Sequence, residues 1–364
     1  MDFVSDTKRV TGWTMGFESD GRELIVVAIK STYTIPADGT PPQLADEQAP
    51  LIESDIFSGE PGLSAPIYES DYAHRKPLCD VLINGSAYAP AGRPVNHVDV
   101  GLRIGGLTKV LRVIGPRCWH QGLLGARPGK VDPFITQPIS YDHAYGGVCV
   151  RRGDPDSAKT YLTNPVGRGY APHNEDLDGQ LMPHTEEVGQ PIDDSAGAYR
   201  PMSFGPVGRA WTPRAQFAGT YDQVWLDERA PFWPDDFDMR HFQAAPQDQW
   251  IPYPVGGEEV VLKNLGPRGN HAFRLPELSM PVLFIPHRGR DIELNAVVDT
   301  LLIEPDLGRF SLTWRVAYTP PRSCFDIMRI VPGKTRRLWR GNRRADGKQH
   351  YASLGDLVRS KNRR

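Results

Sequence analysis

The sequence predicts a mainly β protein, built from antiparallel sheets in a sandwich-like or barrel-like form, with few short helices and a long loop-rich, aromatic-rich middle segment. The first observation is the number of turn-forming residues: 36 glycines and 34 prolines in 364 residues, against the ~12% that the two average together. The second is a series of short runs rich in β-branched and aromatic residues, which are typical of strands. The third is the lack of sustained helical periodicity, except over a short segment at residues 352–359.

The first half of the chain contains the clearest strand patterns. Residues 23–35 are mostly β-branched or aromatic and predict a long strand, and residues 79–87 predict a second one. Residues 95–104 and 108–114 predict a hairpin, because the dipeptide between them, Gly105-Gly106, suits a turn with positive φ.

Strand patterns fade over residues 128–254 and return beyond them. The middle segment is dense in proline, glycine, asparagine, aspartate and aromatic residues, and we expect irregular but ordered backbone there. Four further strands are predicted at residues 259–265, 282–285, 291–304 and 309–318, the last two pairing around the turn at residues 305–308. The predicted organisation is one β-rich domain over residues 1–333, open to division into two subdomains by the middle segment, and a tail over residues 334–364.

Charge is distributed unevenly along the chain. The tail contains eleven basic and two acidic residues, which leaves a net charge of −11 on residues 1–333. The first ten residues lack the apolar run of a signal peptide, and no stretch approaches the ~18 apolar residues of a membrane helix. Four widely spaced cysteines suggest neither a disulfide framework nor a zinc ribbon. We therefore expect a cytoplasmic protein.

Enzyme and metal motifs are absent or incomplete. Residues 153–160 approach a phosphate-binding loop, but Ala158 replaces the second glycine and Pro155 removes an amide. Residues 176–187 begin like a calcium loop, but Leu181 occupies the position where a sharp turn needs glycine. Cys118 and His120 would share one face of a strand, although an inert thiol is the better interpretation. The sequence predicts no catalytic residues, no metal site and no cofactor.

The aromatic-rich middle segment supplies the candidates for a binding surface. Its tryptophans and phenylalanines either staple a loop-rich core or form an exposed hot spot, because tryptophan, tyrosine and arginine are enriched where protein partners bind. Arginine adds planar donors for such contacts. The candidate partner-binding residues are Arg117, Trp119, Arg168, Trp211, Arg214, Tyr221, Asp222, Trp225 and Trp233.

An ordered series of short motifs resembles a known bacterial family. The motifs are Asp71-Tyr72, Lys76-Pro77, Asp80-Val81, Gly85-x-Ala87, Arg117-x-Trp119, Pro133-Phe134, Ala144-Tyr145-Gly146-Gly147, Asn164-Pro165-Val166-Gly167-Arg168-Gly169-Tyr170, Phe204-Gly205-Pro206, Trp211 with Arg214, Gly219-Thr220-Tyr221-Asp222 with Trp225, Pro234-Asp235-Asp236-Phe237-Asp238, Ala244-Ala245-Pro246, Gly257-Glu258, Asp299-Thr300-Leu301 and Trp314-Arg315. The series is similar to that of type VI secretion accessory proteins named only for a domain of unknown function. His184 stands where the pattern usually has asparagine.

The resemblance implies an adaptor or chaperone that loads a secreted effector. The implied partners are an effector, often one with a PAAR-type tip, and the VgrG spike, and the family brings no catalytic residues. Two alternatives stay open. One is a hydrolase that pairs Asp222 with Asp235 or Glu258 in a cleft. The other is a protein that binds nucleic acid through its basic tail.

Overall fold

The structure is a computed structural model that describes residues 1–4, 8–37, 40–122, 125–173, 177–333 and Val358. The strands of this part of the chain are β1 Asp2–Phe3, β2 Val10–Phe17, β3 Glu23–Thr34, β4 Gln43–Leu44, β5 Ile56–Phe57, β6 Pro66–Tyr68, β7 Cys79–Ile83, β8 Gly85–Tyr88, β9 His97–Ile104, β10 Leu107–Ile114, β11 Trp119–Gly122, β12 Gly125–Pro128, β13 Thr136–Ile139, β14 Tyr145–Gly146, β15 Val148–Arg151, β16 Asp154–Thr160, β17 Arg168–Gly169, β18 Thr185–Glu186, β19 Trp250–Ile251, β20 Glu259–Lys263, β21 His271–Arg274, β22 Pro281–Pro286, β23 Ile292–Asn295, β24 Val297–Glu304, β25 Arg309–Tyr318 and β26 Ile327–Pro332. The α-helices are α1 Thr212–Ala215 and α2 Gln223–Glu228. Short 3₁₀ turns occur at Pro90–Gly92, Tyr141–His143, Met239–Phe242, Gln247–Gln249, Pro305–Leu307 and Cys324–Asp326.

A seven-stranded sheet forms the centre of the fold. Its strand order is β19-β7-β24-β25-β3-β2, and β4 pairs with the end of β3. The pairing of β24 with β7 is parallel, whereas β25 lies antiparallel to both β24 and β3. The long strand β3 is buried along nearly its whole length, which explains why its sequence is an almost continuous apolar run.

The two faces of this sheet are covered differently. Odd-numbered residues of β3, such as Ile25, Val27 and Ile29, join one large hydrophobic core with side chains from two other sheets. Those sheets have the orders β18-β10-β9-β20-β21 and β1-β26-β22-β23. The opposite face carries Lys30 and is covered by loops through polar contacts.

The predicted fold class is confirmed: the protein is mainly β, most strand pairs are antiparallel, and the helices are few and short. No sheet in the described ranges closes into a barrel, so the barrel-like form is wrong. The large core includes Val100 from the first half, Phe204 from the middle and Phe310 from the last third.

Most of the predicted strands are present. Residues 23–35 correspond to β3, and residues 309–318 coincide with β25. The predicted hairpin is β9 and β10, which pair from His97 opposite Ile114 to Ile104 opposite Leu107. The predicted strand at residues 79–87 is divided at Asn84 into β7, which pairs with β24, and β8, which pairs with β13. The strand predicted at residues 291–304 is likewise divided, into β23 and β24.

The middle segment contains more regular structure than its sequence predicts. Two- to seven-residue strands, β13 to β19, occur between residues 128 and 254. The longest pair is the exposed hairpin of β15 and β16, which contains residues 153–160. Those residues form a hairpin turn and a strand with no helix after them, so this segment lacks the architecture of a phosphate-binding loop. The predicted helix at residues 352–359 and the basic tail lie outside the described residues, apart from the helical residue Val358.

Candidate functional site

The nine candidate partner-binding residues lie in three separate places. Trp119 begins β11, Arg168 begins β17, and Arg117 lies just before β11. Trp211 immediately precedes α1, and Arg214 lies within it. The remaining four belong to residues 219–238, a largely exposed segment that contains α2 and that we call the acidic knob. Only the acidic knob brings candidate residues to an exposed surface.

The first place is a packed interior. Trp119 is buried in a small aromatic core, and its indole N–H donates to the Gly169 carbonyl at 3.3 Å. Arg117 is buried and pairs with Glu186 at 3.1 Å. Arg168 is half-buried, and its Nε donates to the Asp142 carbonyl at 3.0 Å. These contacts indicate structural roles for all three side chains.

Two histidines contact each other beside these arginines. The rings of His143 and His184 are 5.0 Å apart, and the side chain of Gln137 contacts Nδ1 of His184. Burial lowers the pKa of His184 to about 4, with further lowering from Arg168 and His143. Both imidazoles are therefore neutral near pH 7, because burial also lowers the pKa of His143.

We expect His184→Asn to make folding less sensitive to acid. The folded-state pKa of His184 lies below its unfolded value of ~6.5, so its stabilising contribution is complete above that value and is lost as pH falls toward 4. Between pH 7.5 and pH 5.0 the wild-type protein should lose about 1–2 kcal/mol more unfolding free energy than the variant. Urea unfolding at the two pH values measures this difference, and equal losses would contradict the assignment.

The second place is also structural. Trp211 packs edge-to-face on Tyr141 with ring centroids 5.4 Å apart. Arg214 is buried, donating to the carbonyls of Val207 and His241 at 2.9 and 2.7 Å and pairing with Glu69 at 2.6 Å. All three nitrogens of its guanidinium already donate within the protein, so the pair of parallel N–H groups that binds a carboxylate is not available to a partner. Both side chains are buried, so neither contributes to an exposed surface. Their part in partner binding stays a prediction.

The acidic knob is held together by its own polar and aromatic contacts. The Asp222 carboxylate caps α2 by accepting from the Trp225 amide at 2.9 Å, and the Trp225 indole donates to the Phe232 carbonyl at 2.8 Å. The Asp236 carboxylate accepts from both the amide and the hydroxyl of Thr220. This closed set of bonds fixes the shape of the knob.

Aromatic packing fastens the acidic knob to the rest of the protein. Trp233 is half-buried, stacks on Phe237 at 4.6 Å and meets the His74 ring at 4.8 Å. Phe232 packs edge-on against Phe17 at the end of β2, with ring centroids 5.9 Å apart. Trp233 therefore belongs to the inner, supporting layer of the knob.

The outer layer of the acidic knob is apolar and exposed. Tyr221, Val224 and Leu226 are 54%, 61% and 56% exposed, and α2 has no buried residue. Trp225 is half-buried and packs edge-on against Tyr221 at 4.8 Å. Val224 and Leu226 are absent from the sequence-based candidates. The available signal was the run Val224-Trp225-Leu226, since three consecutive apolar residues cannot all face inward from a six-residue helix.

A buried ion network lies on the loop-covered face of the central sheet. Lys30 pairs with Asp71 at 2.6 Å, and Lys76 pairs with Asp80 at 2.7 Å. Arg315 pairs with Asp299 at 2.5 Å. With the pair formed by Arg214 and Glu69, these four pairs contain four cations and four carboxylates. Arg209, which is more exposed, joins them by pairing with both Glu69 and Asp55, so the formal charge stays balanced.

The buried ion network accounts for much of the motif pattern in the sequence. Its members Asp71, Lys76, Asp80, Arg214, Asp299 and Arg315 are among the residues that carry the resemblance to a family. Burial lowers the pKa of Lys76, but attraction by Asp80 and Glu69 outweighs burial and leaves that pKa raised. Buried, mutually neutralised charges of this kind hold loops on a sheet.

The carboxylates of the hydrolase hypothesis have other partners. Asp222 caps α2, Asp235 pairs with Arg229 at 2.9 Å, and Glu258 accepts from the Val255 and Gly256 amides. No group of three histidine, cysteine or acidic side chains in the described ranges could hold a metal ion. Asp176 of the incomplete calcium loop lies outside those ranges. Cys118 is a half-buried free thiol, and the His120 ring lies 3.2 Å from Asp178. The hydrolase and nucleic-acid alternatives remain untested predictions.

The comparisons with known proteins agree with the motif series in part. No helix among the described residues is long and apolar enough to cross a membrane. No curated protein and no solved structure matches the chain. One family model, described as an uncharacterized protein conserved in bacteria, DUF2169, matches residues 20–315. That range holds the central sheet except for β2 and the end of β25, together with the buried ion network and the acidic knob, and the chain belongs to this uncharacterized bacterial family.

Proposed function

We propose that this protein is an adaptor that binds another protein through the acidic knob. The observation that supports the proposal is the outer layer of the knob, where Tyr221, Val224 and Leu226 are each more than half exposed on a braced segment. Exposed apolar side chains on a well-held segment are typical of surfaces that a partner covers. The three side chains lie on a segment that its own hydrogen bonds already order, so binding a partner would cost little of the segment's conformational entropy.

The charge of the acidic knob defines the chemistry of its partner. Residues 219–238 contain six acidic residues and one basic residue, Arg229, which pairs with Asp235. A complementary partner presents apolar side chains flanked by lysine or arginine. Because exposed charges are screened by salt, the affinity for such a partner should fall as ionic strength rises.

The biological role that we propose follows from the motif resemblance. The adaptor binds a secreted effector, such as a toxin or a protein with a PAAR-type tip, and assists its loading onto the VgrG spike of a type VI secretion system. Its partner-binding surface then covers an apolar, basic segment of the effector until assembly. No cofactor and no catalytic step are part of this role.

The double variant Val224→Asp, Leu226→Asp should lose the partner. Two carboxylates would interrupt the apolar surface and repel each other and the existing acids, so we expect at least a tenfold weaker interaction, equivalent to about 1.4 kcal/mol. The tagged full-length chain is used as bait in cells of the source bacterium that make the secretion machine, and bound proteins are identified and quantified by mass spectrometry. Repeating the wash at increasing salt tests the electrostatic part.

The matched control is Val255→Asp. Val255 is 86% exposed, lies outside the acidic knob and tests whether any added surface charge disturbs capture. The proposal requires near-stoichiometric recovery of an effector, a PAAR-type protein or VgrG with the wild-type chain and with Val255→Asp, and its loss with the knob variant. Equal recovery with all three baits would rule out the knob as the binding surface, and recovery of no protein partner would rule out the adaptor role.

A further inference from the structure

Strand β2 is the outermost strand at one edge of the central sheet. It pairs with β3 along its whole length, from Val10 opposite Lys30 to Phe17 opposite Glu23, without a bulge. Among the described residues, no backbone amide of β2 donates to anything beyond β3, and the Met15 carbonyl accepts from the hydroxyl of the neighbouring Thr14 at 3.4 Å. The outward N–H groups therefore have no partner among these residues, and no other strand pairs with the outward C=O groups.

The hydrogen bonds at both ends of this edge show which residues form the unpaired row. The amide of Glu18 donates to the Arg22 carbonyl at 2.8 Å, which makes this pair hydrogen-bonded. The Thr32 carbonyl accepts from the Ala45 amide at 2.9 Å, on the same side of β3. Since hydrogen-bonded pairs alternate along an antiparallel ladder, even-numbered residues of β2 bond to β3. The backbone groups of Thr11, Trp13, Met15 and Phe17 point outward.

The sequence of β2 lacks the devices that usually protect an edge. Natural edge strands are kept apart by charged residues, proline, bulges or short length. The eight residues of β2, Val-Thr-Gly-Trp-Thr-Met-Gly-Phe, contain no charge and no proline. The opposite edge of the same sheet is β19, which has only two residues. Met15 and Phe17 are 50% and 54% exposed, so apolar side chains accompany the free backbone.

We infer that β2 pairs with β2 of a second copy of this chain, antiparallel across a two-fold axis. A closed dimer formed edge to edge requires this antiparallel arrangement. With the axis at Thr14, all four outward-facing residues are used: Thr11 lies opposite Phe17 and Trp13 lies opposite Met15. The exposed Met15 side chain of one copy then covers the half-buried indole of the other.

The charges that flank β2 favour a second copy as the occupant. Lys8 and Arg9 precede the strand, and Glu18, Asp20 and Glu23 follow it with one base, Arg22. Asp20 pairs with Arg22 and Glu18 with Arg75, and the Glu23 carboxylate accepts from the Ser323 hydroxyl and the Cys324 amide, which moderates the contrast between the two ends. An antiparallel pair places the basic end of one copy beside the acidic end of the other, whereas a parallel pair would bring like charges together.

The mass of the full-length chain in solution tests this inference. Sedimentation equilibrium over about 1–100 µM should show a reversible dimer. Met15→Pro removes an outward N–H but no bond to β3, and should raise the dimer dissociation constant at least tenfold. Met15→Thr keeps that N–H and should dimerise more strongly than Met15→Pro. If the proline variant is not folded by circular dichroism, Met15→Lys takes its place, because lysine keeps the backbone and opposes edge pairing.

The possible outcomes separate the second copy from other occupants. A wild-type chain that is monomeric at the highest concentration overturns the inference, and so does a dimer unaffected by both Met15→Pro and Met15→Lys. A monomer whose capture of an effector is lost with Met15→Pro would show that the edge takes a partner's strand instead. The variants of the acidic knob should leave the dimer unchanged, so this inference and the proposed adaptor surface can fail separately.

Discussion

Replacing Arg315 by methionine is expected to lower the free energy of unfolding by about 3–5 kcal/mol. Arg315 is buried and pairs with Asp299 at 2.5 Å, and it also donates to the carbonyls of Asp71 and Ala73. Methionine fills similar space but leaves the Asp299 carboxylate buried without its cation. The cost comes mainly from that uncompensated charge, because a well-packed apolar pair in the same place can be nearly neutral.

Urea unfolding at pH 7.5, followed by circular dichroism, measures the effect of Arg315→Met. The control is Arg103→Met, which breaks the exposed pair with Glu259 and should cost about 0.2–1 kcal/mol. The double variant Arg315→Met, Asp299→Leu removes both charges and should recover part of the lost stability. A loss below about 1 kcal/mol for Arg315→Met would show that the buried ion network does not hold the loops on the sheet.

Replacing Gly146 by alanine is expected to cost about 3 kcal/mol. Gly146 is buried with φ of +148°, and a Cβ there would collide with the backbone carbonyl of Asn164. That carbonyl cannot retreat, because it accepts from the Gly147 amide at 2.9 Å. The Asn164 side chain is also fixed, since its amide donates to the carbonyls of Tyr141 and Tyr145.

Gly153→Ala is the matched control for Gly146→Ala. Gly153 also has a positive φ, of 78°, but a Cβ at this position would meet nothing within 4 Å. Its expected cost is about 1 kcal/mol, from backbone conformation alone. Thermal or urea unfolding of the two variants separates the conformational cost from the collision. Equal losses would mean that the close approach of β14 to the Asn164 carbonyl contributes little.

The sequence predicts best those strands whose side chains are all buried or whose turn has an unambiguous signal. Buried on both faces, β3 shows as a continuous apolar run, and the hairpin of β9 and β10 has an unambiguous glycine turn. Strand β2 was missed because its two glycines interrupt the pattern, and one of them, Gly12, makes room for the Tyr72 hydroxyl. Local sequence does not show such a close approach, because the two residues are sixty positions apart.

The candidate site was predictable only in part, for a similar reason. The aromatic-rich middle segment includes residues 219–238, but aromatic density could not separate the exposed Tyr221 from the supporting Trp233. Arginines such as Arg214 resemble interface anchors in sequence, and only their distant partners show that they are buried structural ions. Glu69, which pairs with Arg214, lies 145 positions earlier in the chain. An ion pair between residues so far apart in sequence depends on the tertiary fold and cannot be predicted from the local sequence.

The position of β3 between β2 and β25 has a consequence for how the protein is made. Strand β3 is translated before one of its two neighbours, β25, which follows some 279 positions later, as the contact between Thr32 and Ser311 shows. At about 5–20 residues per second, a ribosome needs roughly 15–60 s to bridge that interval. During this interval the apolar segment Leu24–Ile29, which is buried in the finished fold, lacks its neighbour β25 and stays exposed to water along that edge. Nascent chains should therefore depend on general folding chaperones, and folding from denaturant should be slow for the size of the protein.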